Sequence, residues 1–179
     1  MHVSEVKLTG AEVAVMKTAK GTISMRLFDD VAPNTVATFV ELIGRGFYDG
    51  IKFHRIEPGF VVQVGDPQTK LIEPRQVRGV VGRQKAGIHS PGDPALGTGG
   101  PGFTIAAEFN ERPHLEGTVS MARSQDPDSA GSQFYICLAP QPFLDGQYTV
   151  FGEVTEGMDV VQALAVGDEI ESFVIEQGE

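Results

Sequence analysis

The chain carries one cysteine and no tryptophan in 179 residues. A single cysteine excludes an intrachain disulfide, so the fold must rest on its apolar core, and a reducing compartment suits it. Cys137 sits in the apolar run Phe134-Tyr135-Ile136-Cys137-Leu138 and reads as a buried structural thiol rather than a reactive one. No apolar run approaches the roughly 18 residues of a membrane span. The start, Met1-His2-Val3-Ser4-Glu5-Val6-Lys7, lacks a basic stretch followed by an apolar one, so no signal peptide is expected and the expected location is cytoplasmic. Positive charge is scarce too: 14 Lys and Arg against 24 Asp and Glu give a formal net charge of −10. Nucleic acid and anionic membrane surfaces repel such a chain, so neither is expected as a partner. His2, His54, His89 and His114 show no metal-ligand spacing, and no metal is expected.

What is present suits one soluble globular domain: 41% hydrophobic and 21% charged residues over a length that supports one core. Residues 1–11 read as a leader, with the domain over 12–179. Val13 and Val15, then Ile23, Met25 and Leu27 alternating with polar residues, predict two strands joined at Lys20-Gly21 as a hairpin. Pro33 in a first turn, then Val36, Phe39, Val40 and Ile43 at helical spacing, predict a helix stopped at Gly44 or Gly46. Short strands are predicted at 52–56, 61–65, 103–106, 118–122, 133–138, 149–154 and 170–175, with a second helix at about 157–165. About eight short strands beside two helices predict a mainly β fold, a closed eight-stranded antiparallel barrel capped by two α-helices.

Residues 67–95 differ from the rest. They hold Lys70, Arg75, Arg78, Arg83 and Lys85 against only Glu73 and Asp93, and are rich in Pro, Gly and Gln. A stretch this long without periodicity reads as an inserted loop. It is either a solvated loop or a basic lip that recruits acidic clients.

Phe53-His54-Arg55-Ile56-x-Pro58-Gly59-Phe60-x-x-Gln63-x-Gly65-Asp66 closely resembles the signature of the cyclophilins, the peptidyl-prolyl cis/trans isomerases of that type. Gly97-Thr98-Gly99-Gly100, Ser120-Met121-Ala122, Gly131 to Ile136, Phe143-Leu144-Asp145-Gly146 and Val150-Phe151-Gly152 resemble later segments of the family, in its order. The resemblance implies an enzyme that rotates X-Pro bonds in peptides and in unfolded or partly folded proteins, without cofactor, and as a monomer. It implies catalytic roles for Arg55, Phe60 and Gln63. It implies substrate contacts from Val61, Gly97, Ala122, Arg123, Ser124, Gln133, Tyr135, Phe143, Leu144 and Tyr148. By spacing alone, Arg55 would read as a solvated strand arginine and the aromatics as core. A non-catalytic proline-peptide binding module on the same fold is the competing reading, and intact Arg55, Phe60 and Gln63 favour the enzyme.

These residue types suit the reaction. Rotation about an X-Pro bond must break amide resonance, a barrier of roughly 18–20 kcal/mol. No bond is made or cleaved, so the protein needs only to bind the twisted amide better than the planar one. A guanidinium stays charged and presents donors in a rigid plane to the proline nitrogen or the swinging carbonyl. An apolar pocket of Phe60, Val61, Tyr135 and Leu144 would hold the ring still. Gln63 and the backbone of Ala122 and Arg123 would hold the peptide as an added strand.

The chain departs from the family pattern where many members carry Met (Val61), Phe (Tyr135), Trp (Phe143), His (Tyr148) and Asn (Arg123). The Tyr135 hydroxyl needs a partner if buried, so Tyr135 is expected at the pocket rim. Phe143 cannot donate the indole hydrogen bond that the cyclic peptide cyclosporin takes from the family's Trp, so weak cyclosporin binding is expected. The differences at Tyr148 and Arg123 suit a bacterial member. Gly97-x-Gly99-x-x-Gly102 fits a dinucleotide-binding expression, but Pro101 lies inside it and a helix is not expected after it, so it is set aside.

Overall fold

A computed structural model describes residues 1–71 and 96–179. Strands β1 (Glu12–Thr18) and β2 (Gly21–Leu27) form the expected hairpin, and α1 covers Pro33–Gly44. Then follow β3 (Arg55–Glu57), β4 (Val61–Val64), β5 (Thr118–Met121), β6 (Phe134–Cys137), β7 (Val150–Glu156), α2 (Met158–Ala163) and β8 (Ser172–Gln177). Residues 103–106, expected as a strand, provide only an isolated bridge from Ile105 to Ala130.

All pairings are antiparallel, in the order β3-β4-β6-β5-β7-β2-β1-β8. The sheet is open and curled, which corrects the expected closed barrel. Strand β3 has three residues and, among the described residues, pairs only with β4, while β8 pairs only with β1. The two ends are laced instead by the segments that precede them. Gly50 and Phe53 N–H donate to Ile170 and Asp168 carbonyls, and Ile170 N–H donates to Ile51, each at 2.8 Å.

The curl encloses one core. Phe39 of α1 meets Tyr48, Phe134, Phe151 and Phe173 edge-on at 5.0–5.5 Å between centroids, a geometry that suits the aromatic quadrupoles. Helix α1 packs on β8 and α2 on β2. The N-terminus of α1 has no local side-chain cap. Glu108, 73 residues on, caps it instead by accepting from Thr35 N–H and Oγ1 at 2.6 and 2.7 Å, which satisfies donors that a helix start leaves open.

Residues 1–11 form no helix or strand but are anchored. The His2 ring stacks on Phe103 with centroids 4.1 Å apart, and Ser4 N–H donates to Asn34 Oδ1. Of the expected inserted loop, Pro67–Leu71 is a 3₁₀ turn, and the remainder lies outside the described residues. Among the described residues no helix is long and apolar enough to cross a membrane.

Candidate active site

Strands β4 and β6 are buried on both faces, which explains why Val61-Val62-Gln63-Val64 and Phe134-Tyr135-Ile136-Cys137 read as nearly continuous apolar runs. Val62, Val64, Phe134 and Ile136 face the main core. The other face gathers a separate cluster of Val61, Tyr135, Cys137 and Leu144, with Phe60, Ala122 and Tyr148 packed against it. The residues expected to wall a proline pocket are therefore brought together, outside the core.

Register explains the gathering. Arg55 pairs with Gln63, Gln63 with Tyr135, and Tyr135 with Ser120, so four residues from four strands form one row. Side chains in such a row share a face. Glu57, Val61 and Cys137 form the next row on that face. Burial in the cluster pushes the Cys137 thiol up to about 12, which makes it a poor nucleophile and agrees with its reading as structural.

Arg55 lies at the edge of this face. Its Nε and Nη2 donate to Glu57 Oε1 at 3.1 and 2.9 Å, its Nη1 donates to Gln63 Oε1 at 3.3 Å, and its guanidinium carbon stands 5.8 Å from the Phe60 ring centre. Gln63 Nε2 then donates to Gln133 Oε1 at 3.0 Å, and Gln133 Nε2 donates to the Gly97 and Gly99 carbonyls at 2.9 and 2.8 Å. Behind them the buried Asp66 carboxylate accepts from Gly97 N–H at 2.7 Å and Gln68 N–H at 2.8 Å. Gly99 has no room for a side chain, because a Cβ there would overlap Asp66 Oδ1. Neighbouring His54 is partly buried, and that burial pushes its pKa down, with Asp66 opposing.

A second, more polar hollow adjoins the apolar cluster. It has a volume of about 630 Å³ and is lined by Gln63, Gly97, Ala122, Arg123, Ser124 and Gln133 among others. Most of the thirteen expected site residues thus fall in two adjoining features that share Ala122. Ala122 N–H already donates to Gln133 O at 3.0 Å inside the sheet. That N–H is therefore not available for the strand-like pairing with a peptide that was expected there. The Arg123 guanidinium sits 4.8 Å from the Tyr148 ring centre and donates to Gln147 O, which stiffens that rim. Phe143 is 59% exposed, with its ring edge-on to Phe60 at 5.7 Å.

Tyr135 departs from expectation. It is only 5% exposed, not at the rim, because its hydroxyl has found a buried partner, His114 Nε2, at 3.0 Å. Sequence reasoning missed His114, Asp145 and Asp66 as parts of the site. Asp66 and Asp145 stand inside quoted motifs, but the contacts that give them a role span 21 to 33 residues and are not visible in those motifs.

Residues 13–177 match the family model described as cyclophilin type peptidyl-prolyl cis-trans isomerase/CLD. A peptidyl-prolyl cis-trans isomerase of Synechococcus elongatus is 44% identical over 164 residues, which cover 90% of this chain and 94% of that protein. One from Helicobacter pylori is 38% identical over 177 residues, covering 97% of this chain and 92% of that protein. The crystal structure of a Cryptosporidium parvum cyclophilin type isomerase, determined in the presence of the dipeptide Ala-Pro, superimposes with a TM-score of 0.74 at 24% identity. The match covers 93% of this chain and 99% of that one. With its signature residues drawn into one row beside an apolar cluster, the chain belongs to the family of cyclophilin-type peptidyl-prolyl cis-trans isomerases.

Proposed function

We propose that the chain rotates X-Pro bonds over the apolar cluster, with Arg55 as the electrostatic donor. The carrying observation is the cross-strand row that aligns Arg55, Gln63 and Tyr135 beside Val61 and Leu144. The proline ring sits against Phe60, Val61, Tyr135 and Leu144. The peptide before it runs toward Ala122, Arg123 and the polar hollow. As the amide twists, its nitrogen becomes pyramidal and regains a lone pair, and the guanidinium stabilises that charge without reorganising, because Glu57 and Gln63 already hold it.

The substrates are proline-containing peptides and unfolded or partly folded proteins. The exposure of Arg55 and Phe143 supports access by a flexible chain. We assign the enzyme to protein folding in the cytoplasm, as a monomer, on the lone buried cysteine and the net charge of −10. A coupled isomerisation assay on an Ala-Pro peptide tests the reading. Acceleration over the uncatalysed rate is expected, and none at micromolar protein would leave only peptide binding.

Cyclosporin should inhibit poorly. Phe143 occupies its place on the rim with no N–H to donate. Phe143→Trp should tighten inhibition about five- to tenfold, the equivalent of one hydrogen bond. Nanomolar inhibition of the unchanged chain would contradict this.

A further inference from the structure

His114 is 1% exposed and bonded at every polar atom of its ring. Its Nδ1 lies 2.9 Å from Asp145 Oδ1, and its own backbone N–H donates to the same oxygen at 2.7 Å. A carboxylate only accepts, so Nδ1 carries the hydrogen. These bonds hold the Asp145 carboxyl below the usual carboxylate range. In the neutral ring, Nε2 is then an acceptor. Two hydroxyls approach it: Ser120 Oγ at 3.2 Å and Tyr135 Oη at 3.0 Å. Ser120 Oγ also donates to Thr149 O at 3.1 Å, which uses its hydrogen. The Tyr135 hydroxyl is left as the donor to Nε2.

We propose that Asp145, His114 and Tyr135 form a strut that sets the width of the proline pocket, with His114 as a positioning residue. This rests on the isomerase reading above. The strut joins two pocket walls: Tyr135 on β6, and the turn Pro142–Leu144 that Asp145 directly follows. The phenol oxygen lies on the ring's own axis, so the bond leaves the ring free to spin but stops it swinging about χ1. Tyr148, edge-on to Tyr135 at 5.9 Å and to His114 at 6.5 Å, closes the side. Without His114 the buried hydroxyl loses its tie to Asp145 and keeps only the neighbouring Ser120 hydroxyl as a partner. Tyr135 then swings toward water and into the space the proline ring needs. In this chain His114 is what allows tyrosine where the family commonly has phenylalanine.

The pocket grips the proline ring alike in planar and twisted states, so loss of the strut falls on KM rather than kcat. His114→Leu is expected to raise KM for an Ala-Pro peptide about fivefold, the worth of one hydrogen bond, with kcat within about twofold. The double variant His114→Leu/Tyr135→Phe removes both partners and is expected to recover most of that loss. A KM unchanged in His114→Leu, or a double variant as impaired as the single one, would overturn the strut. Asp145→Ala tests it from the solvent side, at a side chain 39% exposed. Its KM should rise about threefold, and a rise of the same size in a Tyr135→Phe background would also overturn it. An inactive wild-type chain would defeat the isomerase reading alone. The strut is then read from the dissociation constant of the same peptide, which His114→Leu should weaken by the same factor.

Discussion

Arg55→Ala should lower kcat/KM by about 100- to 1,000-fold, the usual cost of removing one preorganised donor, while stability to denaturant stays within about 0.5 kcal/mol. The two parts follow from different observations. The side chain is 47% exposed and its partner Glu57 is 49% exposed, and ion pairs so placed contribute little to folding. Its catalytic worth comes from orientation. Glu57 takes Nε and Nη2, Gln63 takes Nη1, and the plane is fixed beside Phe60 before substrate arrives. Arg55→Lys keeps the charge but loses the planar fork, so it should fall between wild type and alanine. Equal activity of Arg55→Ala and wild type in the Ala-Pro assay would sink the role assigned to this residue.

Asp66→Ala should cost about 3–5 kcal/mol of stability and, below the melting transition, lower kcat/KM about tenfold. The carboxylate is fully buried and accepts from the backbone of Gly97, Gly99 and Gln68. Removing it leaves three N–H groups without their acceptor, each bond to a charged group being worth about 1.5–3 kcal/mol. The loss propagates outward. Gly97 and Gly99 carbonyls hold Gln133, Gln133 holds Gln63, and Gln63 holds Arg55. Asp66→Asn, which keeps one oxygen acceptor, should lose less on both counts. Denaturant midpoints and the peptide assay measure the two effects. A stability loss under about 1 kcal/mol would mean the glycine loop does not depend on this carboxylate.

Phe53 to Phe60, the segment that first pointed to the family, holds its place with a sharper meaning. It contributes Arg55, Phe60 at the edge of the apolar cluster, and also Glu57, which the sequence reading passed over and which grips the guanidinium at 2.9 Å. Residues 103–106 looked like a strand because Phe103, Thr104 and Ile105 have strand propensity. Ile105 bridges to Ala130 and the Thr104 carbonyl accepts from His2 N–H, but these contacts go to two different segments and no ladder grows there.

By itself the sequence determined the hairpin, both helices and the short strands that carry the site, while the pocket walls were named only through resemblance to the cyclophilins. Those features are written in short-range periodicity and in contiguous motifs, where each residue's neighbours in sequence are its neighbours in space. Only the tertiary structure decided that the sheet stays open, that Tyr135 is buried rather than at the rim, and that His114, Asp145 and Asp66 belong behind the site. Each depends on which distant atoms a polar group meets. The Tyr135 hydroxyl would have gone to water had His114, 21 residues earlier, not been folded behind it.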